Sequence, residues 1–328
     1  MDFTVAICTF NGAKRLPNVL DRLQEQVSTD FLWEIILIDN ASTDDTATII
    51  RSYQDGWRLS APLRYCVEPK QGLTYARRCA FEAAKSGIIG FLDDDNWPDS
   101  QWVSNAYSFS CKYPEAGAYG SYIYPIFESE PPPGFDRISF YFALRTEEAV
   151  YCYNDRYRYQ FRKLFPPGAG IVIRKSAWLD SVPQEQAIVG VKGASLSTKS
   201  EDVELLSYLF YKGYQIWHNP MMKIGHYIPH DRLQVDYLKR FFQGIGYSRY
   251  ITRMQAYGKF HQLFLIPFYL IIDIVKIVNF YLKNYRLINS DIVITAEWQL
   301  LRSIPLGIVL YLKKLAGSPY NRGKYVHK

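Results

Sequence analysis

The chain has 328 residues, 48% of them hydrophobic and 21% charged, enough for a sizeable core in one large or two modest domains. Its net charge of +6 is mild, so nucleic acid is not expected as a partner. Cys8, Cys66, Cys79, Cys111 and Cys152 stand far apart in no metal-ligand spacing, which points to buried free thiols in a reducing compartment and away from a disulfide framework.

The amino terminus shows no basic stretch followed by an apolar one, so no secretory leader is expected. It opens on a strand-like run over residues 3–8. Asn11 and Gly12 then make a turn, and Leu16, Val19, Leu20 and Leu23 recur at helical spacing. Residues 33–38 read as a second strand. Ser42 or Thr43 is expected to cap the next helix, with Asp44 and Asp45 in its first turn, where the helix dipole favours acids. Residues 63–67 read as a third strand, and Leu73, Ala76, Ala80 and Ala83 mark a helix stopping near Gly87. An apolar strand over residues 88–92 leads into Asp93, Asp94 and Asp95, and Pro98 reads as the first turn of a further helix. This alternation argues for an α/β fold with a mostly parallel sheet, covered by helices on both faces.

From about Cys111 the pattern changes. Pro125, Pro131 to Pro133, Pro166 and Pro167 punctuate a loop-rich, tyrosine-rich middle. Rings with a polar tip suit carbohydrate or an interface, and equally suit ordinary half-buried positions. Residues 169–173 are a strand candidate. Ser200 is expected to cap a helix that runs to about Lys212 and is closed by Gly213, with short strands following over residues 214–217 and 222–224.

The tail is nearly continuous in apolar residues over 263–282, interrupted by Pro267, Asp273, Lys276 and Asn279. A second apolar helix signal covers 292–315 and contains Glu297, Arg302 and Pro305. Neither is a clean run of the roughly 20 apolar residues that a membrane span needs. Lys259, Lys283, Arg286, Lys313 and Lys314 flank the two runs, which suits helices lying in a membrane interface or a shallow hairpin. Packing onto the rest of the chain or onto a partner subunit is the alternative.

The acid run carries the most chemistry. Three carboxylates at the carboxyl end of a buried strand repel one another unless a divalent cation, and the phosphates it carries, complete the site. In an open α/β sheet that end is also where ligands bind. A solvated acidic turn is the plainer alternative.

Five segments sharpen this choice: residues 5–11, 38–44, 72–77 and 91–95, and finally Glu201-Asp202. In this order and spacing they resemble the motifs of glycosyltransferase family 2, inverting enzymes with the GT-A fold. The resemblance covers about residues 1–235. It implies a nucleotide-sugar-binding half over 1–110 and an acceptor-binding and catalytic half over 111–235, with a C-terminal helical extension over 236–328.

The resemblance also assigns roles. Thr9, Phe10 and Asn11 would sit at the donor, with Asp39 accepting a hydrogen bond from the uracil imide; its alternative is a turn residue ahead of Ser42. Arg77, placed in the first turn of its helix, would meet the diphosphate, where helix N-termini and guanidinium groups both favour phosphate. Arg78 stands where the family usually has asparagine, which leaves open which arginine does so. Asp93 and Asp94 would orient the ribose and metal-bound water, and Asp95 would hold Mn²⁺ or Mg²⁺, joined by His226. Asp202 matches the base that deprotonates the acceptor hydroxyl, with Glu201 as runner-up. Gly168, Ala169 and Gly170 resemble the small-residue stretch lining the acceptor site, or else form a turn before a strand. His218 and His230 are expected to be structural.

The implied activity is transfer of a hexosyl or N-acetylhexosaminyl group from a nucleotide sugar, a UDP-sugar first, to a glycan or lipid-linked acceptor. Cell-surface polysaccharide synthesis at the inner face of the cell membrane is the expected setting. Homo-oligomerisation is left open. The competing expectation is a non-catalytic, membrane-associated assembly subunit that retains the nucleotide-binding fold. A nicotinamide oxidoreductase is disfavoured, since no G-x-G-x-x-G follows the first strand.

Overall fold

The computed structural model describes residues 1–27, 30–156, 165–190, 199–255 and 257–317. Of the loop expected over residues 193–199, only Lys199 lies within them. The strands are β1 (Phe3–Thr9), β2 (Trp33–Asp39), β3 (Leu63–Val67), β4 (Ile88–Asp93), β5 (Asn96–Pro98), β6 (Ala116–Phe127), β7 (Tyr151–Cys152), β8 (Val172–Arg174) and β9 (Gln215–Ile228). The helices are α1 (Leu16–Gln24), α2 (Thr46–Gly56), α3 (Leu73–Ala83), α4 (Trp102–Lys112), α5 (Asp136–Ser139), α6 (Tyr153–Arg156), α7 (Lys175–Ser181), α8 (Glu201–Tyr211), α9 (Val235–Met254), α10 (Lys259–Asn284) and α11 (Ile292–Gly317). They form two compact units, one of Met1–Glu128, Ser139–Gln184 and Tyr208–Ile228, the other of Ser129–Ile138, Glu185–Ser207 and Pro229–Lys328.

The first unit holds a single mixed sheet in the order β3-β2-β1-β4-β8-β6-β9-β5, with β7 paired to β9. The first four strands in that order are parallel to one another, and β4 then pairs antiparallel with β8. β1 and β2 read as almost unbroken apolar runs because both their faces are covered, whereas the edge strand β3 is mostly half-buried. α1 turns Leu16, Val19, Leu20 and Leu23 inward onto a core that includes Phe3, Ile35 and Trp102. The registers Thr9↔Asp39 and Cys8↔Asp93 bring three strand ends to one rim.

Several local expectations shift. α2 starts at Thr46, so neither Ser42 nor Thr43 caps it. Those side chains are spent on the neighbouring turn: Ser42 Oγ accepts the Asn11 N–H, and Asn11 Oδ1 accepts from both the Thr43 hydroxyl and its N–H. Asp44 accepts the Thr46 N–H at 3.1 Å just ahead of the helix. Pro98 belongs to β5, and the helix after it starts only at Trp102. Proline is tolerated because β5 ends the sheet path, with β9 its partner. Arg77 lies in the second turn of α3, since Gly72 (φ +140°) is the residue before Leu73. The two strands expected over residues 214–224 are one strand, β9, whose pairing with β6 shifts register between Ser121 and Tyr122. α8 does close on Gly213: Tyr214 N–H reaches the Leu209 carbonyl and Gly213 N–H the Phe210 carbonyl, a Schellman stop.

In the second unit α9 and α11 cross closely. A Cβ at Gly246 would come within 2.7 Å of Ser303, and one at Gly307 within 2.7 Å of the Tyr247 carbonyl, so both positions need glycine. α10 and α11 are long and apolar enough to cross a membrane by length and composition, despite their polar interruptions: mean hydropathy is 2.0 over an 18-residue window of Phe260–Asn284 and 1.3 over one of Ile292–Leu312. Half of the α11 window is buried but only 6% of the α10 window. The interruption at Asp273 is satisfied within the unit, accepting from Arg253 (2.5 and 3.1 Å) and Tyr250 (3.1 Å) on α9.

Candidate active site

The rim where β1, β2 and β4 end is built by two sharp turns. Asn11 (φ +49°) and Ala41 (φ +59°) both take left-handed backbone, which for alanine costs of order 1–3 kcal/mol. Hydrogen bonds hold the turns to each other: Asn11 to Ser42 and Thr43, and the Gly12 N–H to Thr46 Oγ1. Strain held by surrounding bonds is the usual signature of a working site.

Asp39 ends β2 and is buried. One carboxylate oxygen accepts the Ser42 N–H (2.9 Å) and the other the Tyr65 hydroxyl (2.8 Å). Burial, then the bond to Asp39, pushes the Tyr65 hydroxyl up to about 12, so it stays protonated and keeps donating. Asn40 builds the next loop: its amide donates to the Glu68 and Lys70 carbonyls and accepts the Gly72 N–H at 2.7 Å.

The acid run separates into three environments. Asp93 is half-buried. Asp94 is gripped by a two-pronged Arg15 guanidinium (2.8 Å to each oxygen) and by the Thr9 hydroxyl (2.6 Å). These bonds fill three of its roughly four acceptor sites. A Cβ at Gly12 would stand 2.0 Å from the Thr9 hydroxyl oxygen and 2.8 Å from Asp94, so only glycine lets this clamp close. Arg15 also reaches the Phe10 carbonyl.

Asp95 meets His226 across the pairing of β5 with β9. Its oxygen lies 3.5 Å from His226 Nδ1, and both side chains are buried. Asn96 stands at both, its amide nitrogen 3.1 Å from the Asp95 oxygen and 3.1 Å from Nδ1, while its own oxygen accepts the Asp93 N–H. At their 3.5 Å separation the Asp95 oxygen and Nδ1 would share a divalent ion only if Nδ1 gave up the Asn96 amide, because a ring nitrogen offers a single lone pair. Among the described residues no three of His, Cys, Asp and Glu cluster as metal ligands. Such an ion would therefore complete its shell with water and donor oxygens from outside the protein.

Arg77 is buried, with its guanidinium over the Phe91 ring at 6.0 Å. Burial pushes the Cys8 thiol up to about 12, with Arg77 pulling it down and Asp93 pushing it up, which places all three groups under the same rim. Gly168, Ala169 and Gly170 are buried ahead of β8. At Gly170 (φ +63°) a Cβ would meet Ile224 at 2.1 Å and Ser121 at 2.7 Å, so protein atoms already account for the need for glycine there. His218 is fully buried and its Nε2–H donates to the Glu147 carbonyl (2.7 Å); desolvation lowers its pKa, keeping it neutral.

Thr9, Asp39, Arg77, the acid run and His226 thus share the first unit. Glu201 and Asp202 belong to the second, where they open α8. Asp202 is half-buried and accepts the Val203 N–H at 2.8 Å, while Glu204 clamps the Ala187 and Ile188 N–H groups at 2.6 Å each. Sequence reasoning left Arg15, Asn40, Tyr65 and Asn96 without roles. Asn96 directly follows the acids, and its position was the available signal. Nothing local announces Arg15, whose partner lies 79 residues away.

Residues 4–179 match the model of Glycosyl transferase family 2. A 76-residue stretch is 38% identical to the Escherichia coli UDP-Glc:alpha-D-GlcNAc-diphosphoundecaprenol beta-1,3-glucosyltransferase WfaP, covering 23% of this chain and 29% of that one. The matched segments span about a third or less of the curated relatives. By fold, the chain resembles a crystal structure of S. aureus TarS 1-349 in complex with UDP-GlcNAc (TM-score 0.50, 13% identity, 98% and 93% of the two chains). It also resembles GalNAc-T7 crystallised with UDP, GalNAc and Mn2+ (TM-score 0.52, 15% identity, 74% and 47%).

Proposed function

The chain belongs to glycosyl transferase family 2, and from that premise we propose that it moves a sugar, with inversion, from a UDP-sugar to a glycan or lipid-linked acceptor. The observation that carries the reading is the Asp95–His226 pair, buried and 3.5 Å apart beside the Arg15–Asp94–Thr9 clamp. That pair would hold Mn²⁺ or Mg²⁺, which when bound supplies positive charge to the leaving diphosphate. Asp39 accepts from the uracil imide with the lone pairs left by Ser42 and Tyr65, and Thr9, Phe10 and Asn11 shape the nucleoside pocket around it. Asp93, the most open acid of the run, faces the ribose. Arg77 sets the potential beneath the diphosphate. Asp202 takes the acceptor hydroxyl's proton as the new bond forms, and Gly168 and Ala169 border the acceptor.

Two relatives support the donor class, since UDP or UDP-GlcNAc is named in their crystals, with Mn2+ in one. WfaP, by its name, acts on a sugar carried by diphosphoundecaprenol, and the open apolar surface of α10 suits an acceptor of that kind at the inner face of the cell membrane. The test is UDP release from a panel of UDP-sugars with Mn²⁺, using lipid-linked and soluble glycan acceptors. Turnover that disappears in Asp202→Asn supports the reading. No turnover with any donor, together with no metal-dependent UDP binding, would sink it.

A further inference from the structure

α10 presents a surface of unusual order. Phe264, Phe268, Ile271, Val275, Val278 and Leu282 are all exposed, with 49–66% of each side open. They recur every third or fourth residue, so they share one face, opposite Asp273. Lys276, Asn279 and Lys283 are also exposed and the same spacing gathers them along one flank of the carboxyl-terminal half, with exposed His261 near the flank's other end and half-buried Leu265 and Ile272 between. The other flank, with Leu263, Ile274 and Tyr281, is apolar.

Two orientations in a bilayer are open to such a helix, and they differ in what they bury. Asp273 lies at its middle. A spanning α10 would bring the Asp273–Arg253–Tyr250 cluster to mid-depth and carry the end of α9 with it. It would also turn exposed Lys276 and Asn279 toward hydrocarbon close to the centre, where charge is most costly. A helix lying flat keeps the cluster on the protein side, sinks the phenylalanine face a few ångströms, and holds the whole polar flank at headgroup level. Lys276 and Lys283, with Arg286 just beyond the helix, then complement anionic lipid.

We propose that α10 is an in-plane anchor on an anionic bilayer surface, neither a membrane span nor a dimer face. This rests on the membrane-facing part of the reading above and not on its chemistry. Phe264→Cys, Ile271→Cys and Leu282→Cys, each in the full chain with exposed Cys111→Ser, carry an environment-sensitive thiol probe, with the labelled parent as background. The chain is added to vesicles of mixed phosphatidylglycerol and phosphatidylcholine, and probe depth is read by quenching from lipids brominated at different positions.

Equal, shallow depths at all three sites are expected. A deep Ile271 probe between shallow Phe264 and Leu282 probes would overturn the flat orientation in favour of a span. Probes that ignore lipid, in a chain that sediments as a dimer, would show that a second copy covers the face. Lys276→Glu with Lys283→Glu should weaken vesicle binding roughly tenfold or more, and binding that ignores both changes would also count against the proposal. UDP release measured in lipid-free solution with a soluble acceptor stays unchanged throughout, so failure of the anchor and failure of the transferase reading are separable.

Discussion

The rim of the first unit and the carboxyl-terminal helices reverse each other's pattern. At the rim, polar groups are buried and each finds a partner: Asp94 with Arg15 and Thr9, Asp39 with Tyr65 and Ser42, Asp95 with Asn96. On α10 the phenylalanines and leucines face outward and the acid, Asp273, faces in. The first arrangement organises charge for a charged ligand. The second leaves apolar surface where water alone would be a poor solvent. One chain thus carries two differently solvated surfaces, as the proposed transfer to a lipid-linked acceptor would require.

The largest effect expected lies in the proposed chemistry, at Asp202 on α8 of the second unit. Asp202→Asn should lower kcat by about 10²–10⁴-fold, with UDP binding unchanged in a direct titration. A variant that turns over normally would remove Asp202 from the site. Next in size is the inverted core of the second unit. Arg253→Ala leaves a buried carboxylate unpaired and should cost about 3–5 kcal/mol in denaturant unfolding. Arg253→Met combined with Asp273→Leu should recover most of that loss; failure to recover would mean the pair does more than hold α9 to α10.

Asn96→Ala tests whether Asn96 orders the acid run through its bonds to the Asp93 N–H and the Asp95 carboxylate. It should weaken Mn²⁺ affinity by about 10–100-fold at unchanged fold, as seen by circular dichroism. The smallest effect concerns pH. Burial pushes the Glu34 carboxyl up, but the Lys85 N–H, Arg64 and Thr4 outweigh it and hold it below its ordinary 4.5. A depressed folded pKa contributes stability above about pH 4.5 that fades as pH falls through the folded value. Glu34→Gln should therefore lower stability at neutral pH and flatten the acid limb of the unfolding curve, so that the two chains converge below that pH.

Much of the sheet was legible because burial on both faces writes itself as unbroken apolar runs, as in β1 and β2. The acid run and Asp39 were legible because they end such runs. What stayed hidden depends on partners distant in sequence. The Arg15–Asp94 clamp and the Tyr65–Asp39 bond exist only once the strands are in register. Ser42 and Thr43 look like helix caps locally, but the neighbouring turn at Asn11 takes their hydrogen bonds. β9 read as two strands because its register shift interrupts the alternation that a strand normally shows. α10 read as too interrupted for a clean span, and its basic flanks left an interfacial helix and a shallow hairpin equally open. Only the fold shows Asp273 turned inward, with Lys276 and Asn279 on one flank.

The central claim is that Asp95 and His226 jointly hold the cation that binds the donor's diphosphate. Calorimetric titration of UDP into the full-length chain, with and without Mn²⁺, measures this directly. Binding should require Mn²⁺ in the natural chain and should be lost in both Asp95→Ala and His226→Ala. UDP binding that is indifferent to Mn²⁺, and equally tight in both variants, would contradict it.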